Sequence, residues 1–146
     1  MNKKSILPIM AAILVGCGPT EEQKAAPQLT RIEQLYRQGR YHETLAAISR
    51  LRTEHPKAIK ARQRALVLWQ DASLHLAQAD VGRTDSALQA VSRQWAQAKN
   101  LLQKNKLRVK RDSLQARYEA LCGTVRIIHG RQRQLKSDSL MSADDK

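Results

Sequence analysis

The sequence predicts an all-α protein in which a short helical hairpin is followed by long antiparallel, coiled-coil-like helices. Three observations predict it. Ala, Leu, Gln, Arg and Lys dominate, whereas aromatics amount to two Trp, three Tyr and no Phe. Straight-chain residues and Ala lose little entropy in a helix, while a β-sandwich wants β-branched and aromatic side chains. Six Gly and four Pro are spread over 146 residues, so few positions can interrupt a helix. Past position 30, apolar residues recur at three- and four-residue intervals, the period of an amphipathic helix.

The first residues follow another rule. Met1-Asn2-Lys3-Lys4 is a short positive segment, and Ser5 to Gly16 is an apolar run broken only by Pro8. That run is too short to cross a hydrocarbon core of ~30 Å, which takes about 20 helical residues. It has the size of a signal-peptide core. It ends Leu14-Val15-Gly16-Cys17, which resembles the lipobox cut by the type II signal peptidase of bacterial lipoproteins. The resemblance implies that residues 1–16 are removed and that Cys17 carries the lipid, palmitate among its acyl chains. Two or three chains make a stable membrane anchor where one would be marginal. Gly18 stands where an Asp would suggest inner-membrane retention, which points to the outer membrane, on its periplasmic or its outer face. Glu21-Glu22 is faintly similar to the acidic tag of surface-displayed lipoproteins.

The remaining elements follow in order. Residues 17–28 have no periodicity and contain Pro19 and Pro27, so they read as a lipidated flexible tether. Leu29 to Gln38 reads as a helix, with Thr30 and Glu33 at capping-box spacing. Gly39-Arg40 breaks it. Tyr41 to His55 is a second helix, with Leu45, Ile48 and Leu51 on one side, closed by Pro56. Tyr36, Gly39, Tyr41, Glu43, Leu45 and Pro56 together resemble one tetratricopeptide-type repeat. Thr44 departs from that pattern, since the family has a small Ala there, and no second copy follows. One such hairpin cannot bury its own apolar face, so the resemblance implies a hairpin docked on something else.

Lys57 to Asp80 reads as one long helix whose Ala58, Ala61, Ala65, Leu68, Ala72, His75 and Ala79 form a seam of mostly small residues. Val81 to Asp85 reads as a break, with Thr84 as the next cap. The stretch 84–136 then carries a heptad-like stripe, Leu88, Val91, Trp95, Ala98, Leu102, Asn105 and Val109. It slips in phase near Lys110–Ser113 and resumes as Leu114, Tyr118, Leu121, Val125, Ile128, Gln132 and Leu135. One bent helix or two helices meeting near Arg111 satisfy this pattern. A short break at 81–85 would fold the two segments antiparallel and set Trp95 opposite Ala65–Leu68. Residues 137–146 read as a polar, disordered tail. The helical domain is therefore expected at 29–136.

Charge and chemistry bound the function. Lys and Arg number 26 against 13 Asp and Glu, a formal net charge of +13. Lys99, Lys104, Lys106, Arg108, Lys110 and Arg111 lie within a stretch without an acid, and Arg126, Arg131, Arg133 and Lys136 form a second group. Such a field attracts polyanions, which makes the first cluster a candidate contact for an anionic envelope polymer or lipid headgroups. The aromatic interleaving that stacks nucleic-acid bases is missing, so nucleic acid is not expected. With Cys17 acylated, Cys122 is left without an intramolecular partner and reads as a buried, inert thiol, the alternative being an intermolecular bridge in an oxidising compartment. His75 reads as a packed neutral imidazole, and His42, His55 and His129 show no metal-ligand spacing. No Gly-rich phosphate loop, paired-Cys motif, HExxH helix or nucleophile elbow occurs. No cofactor, no metal and no catalytic residue are expected.

As a whole the chain resembles small uncharacterised helical lipoproteins of Bacteroidota, whose Arg/Lys-Asp-Ser-Leu runs recur at Arg111-Asp112-Ser113-Leu114 and around Lys136–Leu140. That resemblance implies a place in the cell envelope and no particular activity. The expectation is a membrane-anchored, non-enzymatic scaffold or adaptor that meets a protein partner or itself. The alternative is a basic helical module for an anionic polymer or lipid.

Overall fold

A computed structural model describes residues 18–144. Four helices account for nearly all of it: α1 (Glu21–Arg37), α2 (Tyr41–Glu54), α3 (Ile59–Gln97) and α4 (Leu101–Asp144). There is no strand among the described residues. Helices α1 and α2 form a hairpin on one part of α3, and α4 runs back along α3, the one helix it packs against among the described residues.

Helix α1 begins at Glu21, inside the stretch expected to be a tether. Thr20 is its N-cap, and a capping box is complete: the Thr20 hydroxyl accepts from the Gln23 N–H at 3.2 Å, and the Gln23 side chain accepts from the Thr20 N–H at 2.9 Å. Pro27 sits inside the helix, where its missing N–H and its ring cost about 3 kcal/mol or more. Tertiary contacts offset that penalty. Ala25 is fully buried, and the Glu22 carboxylate accepts from the backbone N–H groups of Lys60 and Ala61, at 2.8 and 3.1 Å. Helix α3 has no side-chain cap of its own, so Glu22 caps it from another helix, where a negative charge also complements the helix dipole. Thr30 caps nothing: it is mid-helix, and its hydroxyl donates to the Ala26 carbonyl.

The α1–α2 turn is built on Gly39, the one described residue with a left-handed φ, +71°. Its N–H donates to Tyr36 O and the Arg40 N–H donates to Leu35 O, the two bonds of a Schellman motif. Tyr41 packs edge-on to Tyr36, with ring centroids 5.7 Å apart. Thr44, the departure from the repeat pattern, is fully buried because its hydroxyl donates to Arg40 O at 2.9 Å. Ile32, Ile48 and Leu51 are likewise buried and meet Ala58, just before α3, and Ala61, Ala65 and Leu68 of α3. Each large aliphatic side chain so placed contributes about 1.5–3 kcal/mol.

Three expectations about the long helices are corrected. The break at 81–85 does not exist: α3 continues through Val81–Asp85 to Gln97. Asp80–Arg83 and Asp85–Gln89 pair along its surface, and Thr84, expected to cap, is buried at 5 % exposure. A lone Gly82 costs about 1 kcal/mol in a helix, too little to end one whose neighbouring Thr84 and Ala77 are buried. The reversal instead falls at 98–100, where the Asn100 side chain accepts from the Leu102 N–H at 2.8 Å and caps α4. Of the two alternatives at Arg111 the structure has the single helix, and what is corrected is the phase slip: α4 runs through that residue without interruption. Its half-buried face runs Leu107, Arg111, Leu114, Tyr118, Leu121, Val125, Ile128, Gln132 and Leu135, an unbroken 3-4 series. The apparent phase slip came from counting Leu102, Asn105 and Val109 into the seam. Finally, the backbone of 137–144 continues α4 rather than forming an irregular tail.

The register of α3 against α4 follows from their contacts. The Asp71 carboxylate accepts from Tyr36 Oη and from Gln132 Nε2, both at 2.9 Å, and so ties α1, α3 and α4 together. The short α1–α2 hairpin covers α3 from Lys60, held by Glu22, to His75, which stacks on Tyr41 at 4.7 Å and 7°. His75 is exposed apart from that ring, not enclosed as the seam pattern suggested. Beyond it, α4 alone lies against α3, over Ala77, Thr84 and Val91. The molecule thus has a packed base and a two-helix stalk. At 1.5 Å per residue α3 is about 57 Å long from end to end, and about 33 Å of it projects beyond His75 as the stalk.

Candidate functional site

The basic cluster read from sequence sits at the tip of the stalk. Lys99 lies in the α3–α4 reversal, and Lys104, Lys106, Arg108, Lys110 and Arg111 fall in the first turns of α4. From Ser86 to Arg111 neither arm of the hairpin contains an Asp or Glu, while Arg93 adds a cation from α3. Asp85 and Asp112 bound this region. The tip therefore carries an uncompensated positive field, and the opposing helix contributes no acid to neutralise it.

Two of the six predicted residues are held in place. The Arg111 guanidinium lies 4.7 Å from the centroid of Trp95, and Lys104 Nζ lies 5.4 Å from the same ring. Both distances suit cation–π attraction. Arg111 also pairs with Asp112 at 2.9 Å. Trp95 is therefore a half-buried platform at the tip, and it does not face Ala65–Leu68 as the expected pairing required. Lys99, Lys106, Arg108 and Lys110 are exposed.

The sequence reading missed what lies among these cations. Leu101, Leu102 and Val109 are 73 %, 65 % and 68 % exposed. On the α4 wheel, at 100° per residue, they share the sector opposite the Leu107–Arg111–Leu114 seam. Asn105 stands between them, Arg108 borders them beside Leu101, and Lys106 and Lys110 lie along the other flank. Aliphatic side chains pointing outward at a convex, cationic tip form an amphipathic surface. Asn100 was the legible signal: an Asn followed by Leu101-Leu102 after a charged residue is a helix start, and moving the start there turns Leu102 and Val109 outward.

Elsewhere the polar groups serve the fold. Burial and the hydrogen bond to Asp71 push the Tyr36 phenol up to about 12. The Arg40 guanidinium holds the Glu43 carboxyl below its usual range, and Lys24 does the same for Glu21. Cys122 is half-buried, not enclosed as expected, and its interaction raises the Tyr118 hydroxyl. A shallow apolar groove of about 260 Å³ between α2 and α3 is lined by Ile48, Ile59 and Leu66 among others. Among the described residues no group of His, Cys, Asp and Glu is placed to hold a metal ion, and no helix is long and apolar enough to cross a membrane. Leu14, Val15, Gly16 and Cys17 lie outside the described residues.

Comparison with protein-family models, with curated proteins and with solved structures finds no match to this chain.

Proposed function

We propose that this chain is a non-enzymatic lipoprotein of the bacterial cell envelope, held on the outer membrane by acyl chains on Cys17, and that it acts as a helical scaffold or protein-interaction adaptor. The supporting observation is the division of the molecule into a packed base and a projecting stalk. Helix α1 begins three residues after Gly18, and Glu22 fastens its start to the start of α3. A lipid at Cys17 would therefore hold the base, and the stalk would carry its tip about 57 Å away. Within this reading α1–α2 is a single tetratricopeptide-like unit. The Gly39 turn, Tyr41 folded back on it and Pro56 after α2 support that assignment. Docked on one long helix, it offers its outer side to a protein partner in place of a solenoid groove.

Replacement of Cys17 by Ser tests the anchor. The variant should lose palmitate labelling and either remain uncleaved or appear in the soluble fraction. A variant that still labels and still fractionates with membranes overturns it. Pull-down at low and high salt tests the adaptor role, because a packed helix–helix contact barely responds to ionic strength, whereas exposed charges are screened within ~8 Å at physiological salt.

The second reading, a basic module for an anionic envelope polymer or lipid, is favoured by one observation: the acid-free stretch of both hairpin arms at the tip. A partner lost steeply with added salt would select it.

A further inference from the structure

We propose that the tip of the α3–α4 hairpin is a bilayer contact, in which Leu101, Leu102 and Val109 enter the headgroup layer of a membrane rich in anionic lipid while Lys99, Lys106, Arg108 and Lys110 meet its phosphates. The inference deepens the second reading above and rests on it, because it requires the cationic tip to meet an anion. It does not require the lipid on Cys17.

Three features of the tip select this occupant. First, the side chains are of two kinds in the same place. A soluble polyanion needs only the cations. Leucines at 73 % and 65 % exposure gain nothing from a hydrated polymer, but they gain by leaving water for the acyl boundary. Second, the shape is convex. The reversal at 98–100 and the first turns of α4 end the stalk, whereas the apolar groove described above lies between α2 and α3, at the base. A deformable headgroup layer fits a convex tip, and Lys and Arg can keep their charges at the phosphates while their stems lie along apolar surface. Third, the sign of the field excludes a second copy as the occupant. Two tips without an acid between Ser86 and Arg111 would repel each other on contact. The Trp95 platform fits the same picture. By holding Lys104 and Arg111 against its ring, it fixes one flank of the cationic rim to the stalk.

The experiment is co-sedimentation of the full chain with vesicles of phosphatidylcholine alone and of phosphatidylcholine with phosphatidylglycerol, and with inorganic polyphosphate as a soluble polyanion. The variants are Leu101→Ser with Leu102→Ser and Val109→Ser, and separately Lys106→Gln with Arg108→Gln and Lys110→Gln. All six positions are exposed, so both variants should melt as the wild type does. Phosphatidylcholine vesicles measure any contribution from the apolar N-terminal run. The expected result is binding that requires phosphatidylglycerol and falls at least tenfold in each variant. In addition, Leu101→Trp should gain a fluorescence component quenched by lipids brominated in their acyl chains. If the serine variant binds phosphatidylglycerol vesicles as well as the wild type while the glutamine variant does not, the tip is a purely electrostatic site and the bilayer contact is refuted, with the anionic reading intact. If the wild type binds neither these vesicles nor polyphosphate, both the contact and the anionic reading fall.

Discussion

Replacing Gly82 by Ala should stabilise the protein, and the size of the gain can be worked from the structure. Gly82 lies in the interior of α3, and a Cβ added there meets nothing within 4 Å. The substitution therefore adds no clash and no new packing. What remains is backbone entropy: Gly in a helix interior is worse than Ala by about 0.5–1 kcal/mol. For a domain of this size that is a rise of about 2–6 °C in Tm, readable by far-UV circular dichroism on heating. Gly39→Ala supplies the opposite control. Its φ of +71° costs a residue with a Cβ about 1–2 kcal/mol, so that variant should melt lower. If Gly82→Ala also melts lower, residues 81–85 form a turn and the continuous α3 described above is wrong.

Trp95→Ala should cost about 3 kcal/mol by urea unfolding. Its half-buried ring loses roughly half of the 3–5 kcal/mol that a fully buried Trp is worth, together with two exposed cation–π contacts of about 0.5–1 kcal/mol each; a loss above about 5 kcal/mol would mean the ring is enclosed by something other than Arg111 and Lys104. Tyr36 should make stability fall at high pH. Its phenol is raised from 10.0 to about 12 in the fold, so the neutral form is favoured there, and that contribution is complete below pH 10 and lost as pH rises from 10 to 12. Tyr36→Phe should remove this component from the alkaline loss of stability, and an alkaline limb identical in the two proteins would contradict the bond to Asp71.

The sequence made the all-helical class, the Gly39 turn and the end of α2 at Pro56 legible, because each rests on local chemistry that tertiary contacts reinforce. The start of α1 was not legible. Pro27 and the short polar run before it look like a leash, and only the distant N–H groups of Lys60 and Ala61 give Glu22 a reason to be helical. The same limit hid the reversal. Gly82 and Thr84 carry the residue types of a break, but burial of Thr84 under α4 outweighs that local preference. Asn100 then turns the chain seventeen residues after Arg83, where the Ala-Lys-Asn run gives a weaker signal than Gly does. Misplacing the reversal moved Leu102 and Val109 from the outside of the tip to an imagined seam, which is why the cations of the candidate site were found from sequence and its leucines were not.

The claim on which the rest depends is that α3 is a single rod holding the cationic tip away from the base. It is tested by a spin-label distance measured between two exposed positions at its ends, Lys60→Cys and Gln97→Cys, in a chain with Cys17→Ser and Cys122→Ser. A continuous helix places the two backbones about 55 Å apart at 1.5 Å per residue, so a single narrow distribution near that value is expected. A chain reversed at 81–85 would bring position 97 back alongside the middle of residues 60–80, and a distribution centred below about 30 Å, on the same rise per residue, would contradict the account.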